Sequence, residues 1–304
     1  MLDIKFIREN QDLIKAAAEK KHINFDLQRL ISIDDARRTL LATVEAYRAE
    51  QGIANDKIAN AKDDEERSKL IEEMRASKQV VAGEEEKLKE VTKTWQEMMV
   101  GVPNIPDMSV PEGKSDKDNV EIRTWGEKPE FSFKIKNQIE LLQDLGMADF
   151  ERGAKVAGFR GYTLMNDAVL LTQALGSFVL AHFAGKNFTP MIVPSLVKKA
   201  PFIGTGYLPQ GEEDLYKTQD GDYLSGSAEV ATMGYFMEEV IDKKSLPRKI
   251  LSYSPCFRRE AGSHGKDTKG LVRVHEFYKY EQVVLCEARH EESVKYHEEL
   301  TANA

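Results

Sequence analysis

Residues Cys256 to Glu281 read CFRREAGSHGKDTKGLVRVHEFYKYE, two strand-like runs around a small basic loop. In the second run Leu271, Arg273, His275, Phe277, Lys279 and Glu281 recur at every second position, so a strand carries them on one face. Val272, Val274, Tyr278 and Tyr280 fall on the other. In the first run Arg258 and Glu260 share a face, with Arg259 opposite, and the loop Ala261 to Gly270 has three glycines that let the runs close into a hairpin. Such a hairpin gathers two arginines, a ring and two carboxylates on one side. An arginine fork suits phosphate or carboxylate, because two parallel charge-assisted hydrogen bonds fix position and orientation together. A ring between such groups stacks on a purine, and a carboxylate accepts from an amino group. A solvated edge hairpin of alternating charge has the same composition, and composition alone leaves both readings open.

Working outward, Ile250 to Glu260 and Leu271 to Cys286 read as strands, while Gln138 to Leu145 and Ala168 to Phe183 have the apolar spacing of helices. Strands with helices set beside them predict an α+β domain with a largely antiparallel sheet over residues 131–304. Upstream, residues 101–130 contain Pro103, Pro106, Pro111 and Pro129 in a polar stretch without periodicity, a linker by composition. Residues 1–100 follow another rule. Leu30, Ile33, Arg37, Leu40, Val44, Tyr47, Gln51, Ala54, Ile58 and Ala61 step by three and four, the spacing of a coiled-coil seam. A second seam runs Leu70, Met74, Ser77, Val81, Glu84, Leu88, Val91, Trp95 and Met98, with Ser77 and Glu84 imperfect. Two such helices joined by the polar stretch Lys62 to Arg67 predict an antiparallel coiled-coil arm about 45 Å long. By pattern alone such an arm is a partner or dimerisation device before it is a reader of nucleic acid.

The 304 residues suffice for two domains, and a net charge of −8 argues against a general nucleic-acid coat while leaving room for a local basic stripe. Two cysteines, Cys256 and Cys286, are too few for a disulfide framework and read as reduced thiols. The opening MLDIKFIREN lacks the apolar core of a signal peptide, and no stretch reads as approaching about 18 apolar residues, so a cytoplasmic protein with no membrane span is expected.

FRRE followed by GLVRVHEFYKYE resembles motif 2 of the class II aminoacyl-tRNA synthetases, in the form found in seryl-tRNA synthetases. The resemblance continues through Asn104-Ile105-Pro106, Ser109-Val110-Pro111, Asp118-Asn119-Val120-Glu121 and Trp125-Gly126, which are similar to the connector into the catalytic domain. Gly185 to Pro194 resembles motif 1, with Pro194 its proline, and Gly204 to Pro209 a family loop. Agreement in this order along essentially the whole chain makes the resemblance specific.

What the resemblance implies is ATP-dependent activation of L-serine to seryl-adenylate, then transfer to tRNA(Ser), with tRNA(Sec) generally charged as well. ATP and Mg2+ are the implied cofactors, and a homodimer through motif 1 the implied assembly. The N-terminal arm is implied to reach the long variable arm of the tRNA, with Arg48, Lys57, Lys69, Arg75 and Lys78 as candidate phosphate contacts. Carried over residue by residue, Ser227 and Glu229 hold the serine ammonium, Ala228 between them is also in the serine site, and Glu281 contacts the serine. Arg258 bridges the serine carboxylate and the α-phosphate, and Arg273 takes the γ-phosphate. Glu260 faces the adenine amino group and Phe277 stacks on the ring, with Arg259 and Val274 also in the ATP site. Arg258 and Arg273 are the implied catalytic pair. The chain departs from the usual Pro-Thr-Ala-Glu by having Gly226-Ser227-Ala228-Glu229, which keeps the hydroxyl and predicts a less constrained loop.

No glycine-rich segment comparable to motif 3 follows Glu281 before Ala304. The family's Mg2+ positions therefore fall outside this sequence, and the polypeptide by itself is expected not to activate serine at an appreciable rate. A noncatalytic tRNA-binding or coiled-coil interaction protein derived from the family stays open as the alternative. Gly262 to Asp267 lacks the spacing of a P-loop, and Cys286, His290 and His297 lack that of a structural zinc site.

Overall fold

The computed structural model describes residues 2–61, 63–262, 265, 267 and 269–304, and of Glu66 only the backbone. The chain divides into two compact units, Met1–Gly126 and Glu127–Ala304.

In the first unit, two short helices, α1 (Ile4–Glu9) and α2 (Gln11–Lys20), precede two long ones, α3 (Leu27–Ala59) and α4 (Asp64–Val100). At about 1.5 Å per residue, the 33 residues of α3 and 37 of α4 span about 50 and 55 Å. Every position of both predicted seams is buried or half-buried, with Leu30, Val44, Met74 and Val81 the most enclosed. The imperfect positions find partners, which is why they are tolerated. Gln51 Nε2 lies 3.5 Å from Ser77 Oγ, and the Arg37 guanidinium sits 4.4 Å over the Trp95 ring. Arg48 donates to Glu85 at 2.6 Å, and these three cross-links together set an antiparallel register. At the base of the hairpin Ile7 and Ile14 pack against Leu27, Leu30 and Met99. There Asp34, 1% exposed, accepts from Arg8 at 2.9 Å and from Arg37 at 3.1 Å. Of the predicted joining stretch, Lys62 lies outside the described residues and α4 has already begun at Asp64. Beyond Val100 the unit is irregular apart from one 3-10 turn, Asp116–Asp118, closed by a capping box between Ser115 and Asp118.

The second unit runs α5 (Gln138–Asp144), β1 (Ala148–Asp149), α6 (Phe150–Ala157), β2 (Thr163–Leu164), α7 (Asp167–Ala184), β3 (Thr189–Ile192), β4 (Leu196–Val197) and α8 (Lys199–Gly204). It continues with β5 (Tyr216–Lys217), β6 (Tyr223–Leu224), α9 (Ala228–Tyr235), β7 (Arg248–Phe257), β8 (Glu276–Leu285) and α10 (His290–Asn303). The principal sheet has the order β3-β7-β8, with β3 parallel to β7 and β7 antiparallel to β8 from Arg248↔Leu285 to Phe257↔Glu276. A small antiparallel sheet, β4-β6-β5, joins it where the Phe257 N–H donates to the Ser225 carbonyl at 2.9 Å. Phe202, Leu208, Tyr223 and Val230, all at most 1% exposed, form the core beneath this junction.

The α+β architecture and the two helices were legible from periodicity, but two details differ. The strands end at Phe257 and begin at Glu276, not at Glu260 and Leu271. One further rung survives, Arg258 N–H to His275 O at 2.9 Å, after which Arg259 N–H turns to the Asp214 carbonyl at 3.0 Å and Leu271 N–H to Gln138 Oε1 at 3.1 Å. Competing acceptors on other elements thus peel both runs from the ladder. Secondly, α7 has 18 residues with a mean hydropathy of 1.4, which corrects the expectation that no stretch approaches the length and apolarity of a span. One side of α7 serves the core instead, where Val179 and Phe183 pack with Phe188 and Leu251 on the sheet. Close approach there requires Gly176, since a Cβ would lie 2.7 Å from the Tyr280 hydroxyl oxygen.

Candidate active site

The β7–β8 hairpin presents Phe277, Lys279 and Glu281 on one face, opposite Cys256, Ser254 and Ser252 in register. Just beyond its end, Arg258 and Glu260 reach the same side although neither is in a strand. Glu260 has φ 54°, a left-handed conformation that turns its carboxylate back toward Arg273. Two adjoining clefts result, of about 350 and 340 Å3, and Arg258, Glu260 and Arg273 line both. Tyr207, Asp214 and Gly226 complete the first, and Val274 and Phe277 help line the second.

Within these clefts the charges are already paired. Arg273 donates to Glu260 at 2.6 Å, with Arg160, a residue no motif indicated, 4.0 Å from the same oxygen. Arg258 Nε donates to the Gly226 carbonyl at 3.2 Å while its guanidinium carbon stands 5.2 Å from the Phe277 ring centre. Backbone and ring together hold the fork beside an aromatic face. Asp214 anchors the turn through its carbonyl to Arg259 N–H and through Oδ1 to Ala261 N–H at 3.0 Å. Arg259 contributes this backbone contact and lines neither cleft among the described residues. Of the loop that follows, Ser263, His264, Lys266 and Thr268 lie outside the described residues, and with them half of the stretch compared with a P-loop.

Next to Gly226 lies a second polar group. Ser227 caps α9, its hydroxyl oxygen accepting from Glu229 N–H at 3.3 Å, and it donates to Glu281 Oε2 at 2.8 Å. Lys279 Nζ donates to Ser227 Oγ at 3.2 Å and pairs with Glu281. Burial pushes the Glu229 carboxyl up from its ordinary pKa, and the Glu281 charge adds to this, against the pull of Lys279 and a hydrogen bond from Tyr207. Ala228 is buried beneath them. Two carboxylates and a hydroxyl converging on one point form a bed for a cation with several N–H donors.

The expectation of a loosened 226–227 loop does not hold. Ser225 N–H donates to Ser195 O, Phe257 N–H to Ser225 O, and Arg258 Nε to Gly226 O, so two other segments fix this turn through three hydrogen bonds. A Cβ at 226 would sit 3.2 Å from both Arg258 Cγ and Phe257 O, close enough that a larger residue needs its neighbours to give by a few tenths of an ångström. Ser227, Glu229 and Glu281 thus come together on one side, and Arg258, Glu260, Arg273 and Phe277 on the adjoining one. Sequence reasoning missed Tyr207, Asp214 and Arg160, which belong to other elements. Lys279 stood in the alternating face of the hairpin, and only its spacing could have marked it.

Residues 1–106 match the seryl-tRNA synthetase N-terminal domain, and residues 216–303 the tRNA synthetase class II core domain (G, H, P, S and T). The serine-tRNA ligase of Deinococcus radiodurans is 40% identical over 305 residues, an alignment covering all of this chain and 72% of that protein. The serine-tRNA ligase of Thermodesulfovibrio yellowstonii is likewise 40% identical, over 309 residues and 72% of its length. Among solved structures, the seryl-tRNA synthetase of Pyrococcus horikoshii complexed with ATP superposes with a TM-score of 0.81 at 36% identity, covering 99% of this chain and 73% of that one. The cytoplasmic serine-tRNA ligase of Naegleria fowleri in complex with AMP gives 0.80 at 27% identity, covering 100% and 70%.

Proposed function

The chain belongs to the seryl-tRNA synthetase family, and on that premise we propose that its site takes the L-serine and ATP of seryl-adenylate formation and serves aminoacylation of tRNA(Ser) in the cytoplasm, the 304 residues by themselves being expected not to activate serine at an appreciable rate. The observation that carries this reading is the meeting, around Gly226, of an arginine-and-ring cleft with a carboxylate-and-hydroxyl bed. The first suits a nucleotide and the second an amino-acid ammonium.

The roles divide by chemistry. Ser227, Glu229 and Glu281 receive the serine ammonium, which places its carboxylate toward Arg258. Phe277 and Val274 hold the adenine, and Glu260 accepts from its amino group. Arg273 takes the terminal phosphate, so ATP exchanges the Arg273–Glu260 pair for two contacts of its own. The serine carboxylate attacks the α-phosphorus in line, pyrophosphate leaves, and the fixed guanidinium of Arg258 stabilises the charge that develops. No protein nucleophile is required. Among the described residues no group of three or more His, Cys, Asp or Glu side chains could hold a metal ion.

The arm supports tRNA as the second substrate. Lys57, Lys69, Arg75 and Lys78 are exposed and make no ion pair among the described residues, whereas Arg48 is engaged by Glu85. Leu171, Leu175 and Phe178 lie on one exposed face of α7, and Ile192 is 84% exposed, an apolar surface suited to a second copy of the chain as a homodimer.

The reading is tested by titrating the chain with ATP and with L-serine, before and after Arg258→Ala. Saturable binding of both ligands, weakened by the substitution, is the expected result. Binding of neither by the unmodified chain overturns the site.

A further inference from the structure

The most unusual group in the second polar cluster is Lys279, a cation already seated where the proposed substrate presents one. Its Nζ donates to Ser227 Oγ at 3.2 Å and pairs with Glu281, the two groups assigned above to the serine ammonium. Ser227 is fully buried while the Lys279 side chain is 33% exposed, so an incoming cation meets Lys279 first. The lysine projects from the middle of β8, between Phe277 and Glu281 on the same face, and its backbone is fixed opposite Ser254. Only the flexible four-carbon stem is free to move.

We propose that Lys279 is a positioning residue of the amino-acid pocket: its ammonium stands in for the substrate's in the free chain, then yields that place and pairs with the carboxylate of the bound amino acid. The inference rests on the amino-acid-pocket reading given above. Three features of the site support the exchange. The bed contains two carboxylates, Glu229 and Glu281, which repel one another unless a cation lies close by, and Lys279 supplies it before substrate arrives. A zwitterion brings one positive and one negative group, so its arrival leaves neither cation alone: substrate ammonium on Glu229, Glu281 and Ser227, Lys279 on substrate carboxylate. A ligand with an ammonium but no carboxylate displaces the lysine and offers it nothing. The pocket thereby selects zwitterions by a charge exchange in addition to any selection by shape.

The test is calorimetric titration of the full 304-residue chain with L-serine and with L-serinamide, which keeps the ammonium and lacks the carboxylate. In Lys279→Met, and independently in Lys279→Gln, serine affinity is expected to fall by about tenfold, the scale of one lost charge-assisted hydrogen bond. Serinamide affinity should hold or rise, because its competitor has gone, an outcome that a merely structural role for the lysine does not produce. Lys279→Arg should restore the preference for serine. Circular dichroism identifies which variants fold, and either neutral substitution suffices. An unchanged ratio of serine to serinamide affinity in a folded neutral variant overturns the inference while leaving the pocket intact. Failure of the unmodified chain to bind serine overturns the pocket itself, and this inference with it.

Discussion

The α3–α4 arm and the β7–β8 hairpin are both antiparallel pairs built on a simple period, but they treat polar residues in opposite ways. In the arm, the seam is mostly apolar and its polar members find neighbours there: Gln51 and Ser77 meet across the helix pair, Arg37 lies over Trp95, and Glu84 pairs with Lys87 on its own helix. Of its charges, Lys57, Lys69, Arg75 and Lys78 face water, whereas Asp34 is buried at the base. In the sheet hairpin the charged face turns inward, where Arg258 is held by Gly226 and Glu281 by Ser227 from other elements, and Arg273 by Glu260 within the hairpin. A surface meant for a long flexible phosphate chain needs charge without fixed geometry. A surface meant for one small ligand needs each hydrogen bond fixed to within a fraction of an ångström.

The comparison can be broken first at the base of the arm. Asp34→Ala leaves two arginines without their shared buried carboxylate and should destabilise the first unit by about 3 to 5 kcal/mol. Urea unfolding should register that loss while ATP affinity stays within error; a fall in ATP affinity would contradict the separation of roles. Arg258→Ala is the converse experiment. It removes the fork from the cleft and should weaken ATP binding by about 100-fold, roughly 3 kcal/mol, with little change in the unfolding midpoint of the arm.

A smaller effect concerns pH. The Glu229 carboxyl is held above its ordinary pKa, first by burial and then by Glu281. A raised folded-state value means the folded chain binds this proton more tightly than the unfolded one. Its contribution to stability is full below the ordinary carboxylate pKa and is lost as pH rises through the raised value. Serine binding has the opposite demand, since the ammonium needs the ionised form. Serine affinity should therefore decline on acidification at a pH above the usual carboxylate range, and Glu229→Gln should remove that inflection. An inflection that persists in the variant would assign it elsewhere. The smallest effect belongs to the arm: Lys78→Gln should lower tRNA affinity only about severalfold and reduce the salt slope by about 1. Identical slopes for the variant and the unmodified chain would remove Lys78 from the contact surface.

Much of the arm was legible because a seam is a local pattern. Its stepping identifies the protected positions whatever the partner, and all of those named are buried or half-buried. Asp34 escaped because it falls between seam positions, and only Arg8 on α1, docked by tertiary packing, explains its burial. In the hairpin, alternation correctly grouped Phe277, Lys279 and Glu281. It extended the strands too far, because nothing local announces that the Asp214 carbonyl and Gln138 will capture the Arg259 and Leu271 amides. Gly226 was read as freedom, whereas its turn is held by hydrogen bonds with Ser195, Phe257 and Arg258, all distant in sequence.

The sequence by itself determined the two long helices of the arm with their seams, α5 and α7, the two strand runs of the hairpin, and which charged residues of that hairpin share a face. Those properties follow from backbone periods of 3.6 and 2 that act over a few neighbours. Only the tertiary structure decided that Glu260 pairs with Arg273, that Lys279 rests on Ser227 and Glu281, and that Asp214 turns the chain between Arg258 and Glu260. Hydrogen bonds weaken steeply with small errors in distance and angle, so partners far apart in the chain are chosen by how whole elements pack and not by any pattern within one of them.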